Sequence, residues 1–312
     1  MGGSEFDTKP QKLVVCHPKY SSALKRAEEK DLGAYNFVSL PQLETLYDEY
    51  DGLIAKIHEL GISTVDLHEI LGKKASHDSF ASPNTMFTRD SAITLPWAPG
   101  LYIESRFALK SREPETETMS TALRALGLNE FCKLSPGSLL EGGDVIAVMH
   151  NLRRMIFIGY GSRTNEQAVE ELAKQLIPDH ADVVVGIKHP DSILHLDTGF
   201  SVLPRQIIVM APSMLGEGVV FGYGKKAQAI DLNEYLTTLG FNIITAPSDG
   251  DGAYHEYCNM LPIGDNNYLS FPLPYEFKKQ LEDAAYIWIH EVEGSEILKT
   301  AGGIHCLTRP IY

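Results

Sequence analysis

The sequence predicts an α/β fold assembled from repeated strand-rich modules with one helix each. Three observations lead to it. Short β-rich runs alternate with helical patterns along the chain. A polar turn recurs beside the strands at intervals of roughly 50–60 residues, the size of one supersecondary repeat. No Pro/Gly/Ser linker, charge block or low-complexity run divides the chain. Residues 11–312 are therefore expected to form a single domain. A doubly wound dinucleotide-binding sheet is the competing arrangement, but no GxGxxG lies between an early strand and helix.

Residues 1–10 read as an expression scar and flexible N-terminus, Met1-Gly2-Gly3-Ser4-Glu5-Phe6 being the scar. Lys12-Leu13-Val14-Val15-Cys16 is a short buried strand. A helix over 41–60 follows, because Leu43, Leu46, Tyr47, Tyr50, Ile54, Ile57 and Leu60 keep helical spacing. Pro41 suits its first turn and Gly61 its stop. Residues 62–67 return to extended structure. Residues 101–104 read as a strand and 116–126 as a helix with Met119, Ala122, Leu123 and Leu126 on one face. Residues 144–149 and 155–158 form a strand pair. Thr164-Asn165-Glu166-Gln167 is a capping box opening a helix that Pro178 stops. Val183-Val184-Val185 and 206–210 are strands, 226–239 a helix and 241–245 a strand. Asp265-Asn266-Asn267 is a hairpin turn. Helices at 275–283 and 295–301 flank a strand at 286–290. The last dozen residues read as a final strand in which Ile304, Leu307 and Ile311 pack.

Composition narrows the functional classes. A net charge of −14 over 312 residues argues against a general nucleic-acid binder, which needs a basic footprint. It is compatible with a cationic substrate. Four cysteines, Cys16, Cys132, Cys258 and Cys306, lie far apart without a CxxC pair, which disfavours a zinc knuckle or a disulfide framework. No signal peptide or membrane-length apolar run is visible, so a cytoplasmic location is expected, with no membrane and no nucleic-acid partner.

Four polar motifs stand out: Phe87-Thr88-Arg89-Asp90, Glu141-Gly142-Gly143-Asp144, His195-Leu196-Asp197 and Gly302-Gly303-Ile304-His305-Cys306. A cysteine acts as nucleophile through its thiolate. A histidine serves as acid and base, and a carboxylate orients the imidazole. In an extended segment His195 and Asp197 would share a face. Two carboxylates, Asp90 and Asp197, suit a planar cation rich in donors, which is a guanidinium. Gly142-Gly143 permits an unusual turn or a close ligand approach. Each motif also has a structural reading: Cys306 as a buried small hydrophobe, Arg89-Asp90 as a surface ion pair, Arg163 as a helix-entry residue. No HExxH or DxDxDG spacing calls for a metal.

Together with Asn84-Thr85-Met86 and Ile158-Gly159-Tyr160-Gly161-Ser162-Arg163-Thr164, these motifs resemble the guanidino-modifying (pentein, or amidinotransferase) superfamily. The arginine deiminase branch matches best, from about Pro83 onward. The resemblance implies a five-bladed α/β propeller (pentein fold) with the site at its centre. It implies Cys306 as nucleophile, His195 as acid/base, Glu141 as its carboxylate partner, and Asp90 and Asp197 as holders of the guanidinium. Asn84 and Arg163 would bind the amino-acid end, and Phe87, Asp144 and Arg106 complete the substrate-binding set. Bacterial arginine deiminases carry a helical insertion that this shorter chain lacks, and an arginine where this chain has Ala301. Arg106 or Arg112 would then supply the second contact to the substrate carboxylate.

The expected activity is hydrolysis of a guanidino compound, L-arginine first, to citrulline and ammonia through a covalent amidino-cysteine. A dihydrolase giving ornithine and an amidinotransferase are the alternatives within the superfamily. An inactive pentein that binds a partner is the alternative from another class. No cofactor or metal is implied. The partners are a small guanidino substrate and water, and homo-oligomer formation is left open.

Overall fold

In the computed structural model, which describes residues 3–72, 77–214, 216–247 and 256–312, one unit recurs five times. Two strands pair antiparallel, a helix follows, and a third strand returns parallel to the second. A parallel return needs a crossover, and the helix is that crossover.

In the first module Lys12–Val15 pairs antiparallel with Arg309–Ile311, then parallel with Ser63–Asp66 across the helix Leu43–Glu59. The second has Ala92–Ile93, Leu101–Glu104, helix Glu113–Ala125 and Asn129–Cys132. The third has Val145–His150, Arg153–Tyr160, helix Glu166–Leu176 and Val183–Lys188. Its sheet is extended by Glu217–Gly222 and Gln228–Asp231. The fourth has Phe200–Leu203, Ile207–Met210, helix Leu232–Thr238 and Asn242–Thr245. The fifth has Leu261–Gly264, Asn267–Ser270, helix Tyr275–Ala285 and Trp288–Glu291.

The helices form for ordinary reasons. In Leu43–Glu59 the buried residues are Leu46, Tyr50, Leu53 and Ile57, three or four apart, so one stripe faces inward. Gly61, at φ +80°, turns the chain out of it. Between the fifth module's first strands, Asp265 and Asn266 take φ of 52° and 59°, the left-handed pair a tight hairpin needs.

Among the described residues, most buried apolar side chains fall into four clusters, each shared between modules. Val14, Tyr102 and Leu123 join the first to the second, and Ile103, Ile158 and Leu172 the second to the third. Phe157, Phe200 and Leu281 link the third, fourth and fifth, and Leu269, Leu13 and Leu53 join the fifth to the first.

Four expectations change. The first half of the helix expected at 226–239 is the strand Gln228–Asp231, because it pairs with Glu217–Gly222; the helix starts after Asp231, whose carboxylate accepts from Glu234 N. Asn165, not Thr164, caps the helix at Glu166, and Thr164 Oγ1 accepts from Glu141 N. The final strand is only Arg309–Ile311, with Cys306 in the turn before it. The leader is not loose where it is described: Ser4, Glu5 and Phe6 are buried. Glu5 N donates to Ala147 O and Met149 N to Ser4 Oγ, which lays them along the third module's first strand.

Leu53 is fully buried between the first helix and its sheet. Leu53→Ala is expected to cost about 2–5 kcal/mol, read as a lower urea midpoint at unchanged slope.

Candidate active site

The polar motifs occupy one position in the repeat: the turn that enters each module's first strand. Asp90 precedes Ala92–Ile93, Glu141 and Asp144 precede Val145–His150, and His195 and Asp197 precede Phe200–Leu203. Asn259 precedes Leu261–Gly264, and His305 and Cys306 precede Arg309–Ile311. Asn259 belongs to none of the polar motifs; its place in the repeat is the signal that marks it.

Hydrogen bonds join these five turns in a closed circuit. Arg89 N donates to Cys306 O at 3.0 Å and Gly142 N to Asp90 O at 2.9 Å. Leu196 N donates to Asp144 Oδ1 at 2.8 Å, and Asn259 Nδ2 to Asp197 O at 3.2 Å. Cys306 N donates to Asn259 Oδ1 at 3.2 Å, which closes the circuit. Both glycines of the second motif are needed for space. A Cβ on Gly142 would lie 2.1 Å from Arg89 O, and one on Gly143 would lie 2.8 Å from Asp90 Oδ1 and 3.0 Å from His195 Cγ.

His195 sits between carboxylates. Its Nε2 is 2.8 Å from Glu141 Oε2 and its Nδ1 is 3.6 Å from Asp90 Oδ1. Burial alone would push the imidazole down. The Asp90 charge and the Glu141 hydrogen bond outweigh it, with the Asp144 and Glu141 charges behind them, and its pKa is pushed up to about 10. Burial likewise raises Asp90 and Glu141, but His195, Arg112 and Arg163 win and hold both below the usual range. The site therefore carries an imidazolium at neutral pH, able to give a proton.

His195 and Asp197 do not share a face. Leu196–Gly199 is a helical turn, so His195 points to Glu141 and Asp90 while Asp197 points to the C-terminal turn. There Asp197 Oδ2 is 2.7 Å from His305 Nδ1 and 3.6 Å from Cys306 Sγ. His305 Nε2 is 3.1 Å from Glu5 Oε1, which also pairs with Arg89. Burial pushes the Cys306 thiol well above its ordinary value, and Asp197, Glu256 and Asp90 add to this.

One cavity is lined by Asn84, Phe87, Asp90, Arg163, His195 and Cys306. Three of their buried atoms have no hydrogen-bond partner: Asn84 Oδ1, Asp90 Oδ1 and Arg163 Nη1. Such atoms are costly unless a ligand or water satisfies them. Glu141 stands behind His195. Asp144 does not line the cavity; it holds Leu196 N and lies 3.3 Å from His189 Nε2. Arg106 is exposed, bonded through Nη2 to Leu134 O, and away from the cavity, because its backbone bridges Leu140. Arg112 lines it instead, with Nη1 2.8 Å from Asp90 Oδ2 and its other edge forked on Glu115 at 2.8 and 3.0 Å. Asp90, Glu141 and His195 also have ligand atoms close enough together for a metal. Arg112 and Arg163 sit 2.8–3.7 Å from the same carboxylates and supply the positive charge themselves.

A model of the arginine deiminase family matches residues 80–312. This chain belongs to the arginine deiminase family. The match bears out the resemblance read from the motifs. The arginine deiminase of Oenococcus oeni is 27% identical over 258 residues, covering 74% of this chain and 61% of that protein. That of Levilactobacillus brevis is 26% identical over 257 residues, covering 73% and 61%. The chain thus spans about three fifths of the length of these relatives. Among solved structures, the N-terminal domain of ArgZ, an arginine dihydrolase from cyanobacteria, superposes with TM-score 0.71 at 19% identity, over 96% of this chain and 97% of that one. A dimethylarginine dimethylaminohydrolase superposes with TM-score 0.66 at 17% identity, over 96% and 99%. The mixed α/β fold of several small sheets is shared with these penteins.

Two outcomes follow from this family member's site. His195 has a folded pKa of about 10 against an ordinary 6.5, so its contribution to stability is complete below 6.5 and is lost as pH rises through 10. The stability advantage of wild type over His195→Gln should therefore shrink across that range, measured as urea midpoints at successive pH values. Gly142→Ala should displace the Asp90 turn, lowering activity together with about 1–3 kcal/mol of stability, read by turnover and denaturation of one preparation.

Proposed function

We propose that the protein is a cysteine hydrolase of a guanidino compound, with L-arginine as substrate and citrulline and ammonia as products. The observation that carries it is the cavity where Cys306, His195 backed by Glu141, and the unpartnered Asp90 Oδ1 converge. Its residues form one catalytic domain, with the five modules as blades of a propeller. Support for that arrangement comes from the closed circuit of turns and from apolar clusters that link module to module and the fifth to the first.

In this reading Asp90, which lines the cavity, holds the guanidinium directly; Asp197 is outside that lining, bonded to His305, and reaches the cation only from beside the Cys306 sulfur at 3.6 Å. Burial and the Asp197 charge favour Cys306 as a thiol; a seated guanidinium brings the positive charge that stabilises its thiolate, and the thiol proton passes to solvent as the substrate enters. The thiolate attacks the guanidinium carbon. His195 gives its proton to the departing nitrogen, which leaves as ammonia, and an amidino-thioether remains. Water then yields a proton to His195, its oxygen bonds to the carbon, and the C–S bond breaks to restore the thiolate. Arg163, whose Nη1 has no hydrogen-bond partner, binds the α-carboxylate end with Asn84; of the two arginines expected to offer a second contact, Arg112 lines the cavity, already held by Asp90 and Glu115, and Arg106 does not line it. No disulfide joins the four cysteines, which fits a reducing, cytoplasmic compartment, and among the described residues no helix is long and apolar enough to cross a membrane.

Incubation with L-arginine, quantifying citrulline, ornithine and ammonia together, tests this reading. Citrulline with equimolar ammonia is expected. Ornithine with twice the ammonia would assign a dihydrolase, and turnover only with an added amine a transferase. Cys306→Ala should abolish turnover, while alanine at Cys16 or Cys132 should not; activity in Cys306→Ala overturns the mechanism.

Arginine should also be preferred to agmatine, which lacks the carboxylate, by at least about tenfold in kcat/KM, since charge-assisted hydrogen bonds contribute roughly 1.5–3 kcal/mol. Arg163→Ala should erase most of that preference. Equal turnover of both compounds by the wild type would overturn the substrate assignment.

A further inference from the structure

We infer that Asn259 is a catalytic group of this site, its side-chain amide donating the hydrogen bond that holds the Cys306 sulfur as thiolate. The inference rests on the reading of Cys306 as nucleophile.

Asn259 is buried, and its Nδ2 lies 3.1 Å from Cys306 Sγ. The orientation of an amide is an assignment that its partners decide. Here two backbone groups decide it. Cys306 N–H must meet an acceptor, and Oδ1 is 3.2 Å from it. Asp197 C=O must meet a donor, and Nδ2 is 3.2 Å from it. A flipped amide would oppose donor to donor and acceptor to acceptor. With one Nδ2 hydrogen on Asp197 O, the other is left for the sulfur. Gly303 makes room for this, because a Cβ there would lie 2.4 Å from Asn259 Oδ1.

The charges around the sulfur give the bond its weight. Among the described residues, the side chains bonded to Sγ are Asn259 and Asp197, the latter at 3.6 and 3.9 Å; the Gly303 backbone also donates to the sulfur, and the charges facing it are Asp197, Glu256 and Asp90. A thiol can donate to Asp197; a thiolate is repelled by it. The Asn259 contact changes in the opposite sense, becoming charge-assisted once the proton has left. It therefore separates the two protonation states of the nucleophile. It serves twice in the cycle, since the thiolate that attacks is also the group expelled when the thioether is hydrolysed. A donor bond lowers the intrinsic nucleophilicity of a thiolate, but less steeply than it raises the ionised fraction of a mostly protonated thiol.

The test uses Asn259→Ala and the near-isosteric Asn259→Asp, each checked for fold by circular dichroism. The rate of Cys306 alkylation by iodoacetamide is followed against pH in the free enzyme by mass spectrometry of the C-terminal peptide. Asn259→Ala should move the alkylation profile up by about one pH unit, a tenfold loss of thiolate at a given pH. Asn259→Asp, which sets a carboxylate against the sulfur, should move it further. Both should lose at least tenfold in kcat with KM changed less than threefold. An alkylation profile unmoved in either folded variant overturns the inference, even where kcat falls, since that pattern marks a packing role. Activity in Cys306→Ala would instead remove the nucleophile reading beneath it, so the two failures are told apart.

Discussion

The circuit of hydrogen bonds through the five strand-entry turns is the constraint on which the site depends. Each turn alone is an exposed polar bend before a short strand. Bonded in a closed order, the turns fix one another's backbones, and their side chains are left to converge. Within the circuit the closest pinch is at Gly142, where the second and third modules meet with no space for a methyl group. Side-chain distances of 2.8 Å between His195 and Glu141, and between Arg112 and Asp90, follow from that backbone approach.

The circuit also concentrates charge where water is largely excluded. Asp90, Glu141, Asp144 and Asp197 are buried beside Arg112, Arg163, His195 and His305. Burying such groups costs several kcal/mol each unless every one is paired. The pairing leaves gaps both at the cavity, at Asp90 Oδ1 and Arg163 Nη1, and behind it, at Asp144 Oδ2, Arg89 Nη2 and Arg309 Nε. Arg112 takes one oxygen of Asp90 and leaves the other without a hydrogen bond, 3.6 Å from His195 Nδ1. Behind the site the balance is met differently: Glu5 pairs with Arg89 and His305, while burial and the neighbouring Arg89 push Arg309 down to about 9.

Much of this was legible in the sequence where local chemistry decides. The first helix was found within two residues of its start because apolar spacing and Gly61 bracket it. Asp90, Glu141, His195 and Cys306 were legible because each sits in a glycine-bearing or motif-like turn. What stayed hidden depends on partners distant in sequence. Gln228–Asp231 has no local reason to be a strand until Glu217–Gly222 lies beside it. Arg112 could not be told from Arg106 by position, since the isolated bridge to Leu140 turns one outward and Glu115 holds the other inward. Glu5 looked expendable because the groups it meets, Arg89 and His305, are far along the chain. Asn259 carries no motif; its place in the repeat identifies it.

The first sheet is completed by the last strand, Arg309–Ile311 against Lys12–Val15. This pairing joins strands about 300 residues apart in sequence, Lys12 facing Ile311, and closing so large a loop is slow compared with the local pairings inside the other modules. During synthesis the second to fifth units can form in turn as they emerge. The first must wait with one edge of Lys12–Val15 open until the chain has been read through to Ile311. Cys306 lies in the same closing segment, so the nucleophile arrives with the clasp, and a nascent or C-terminally nicked chain has neither.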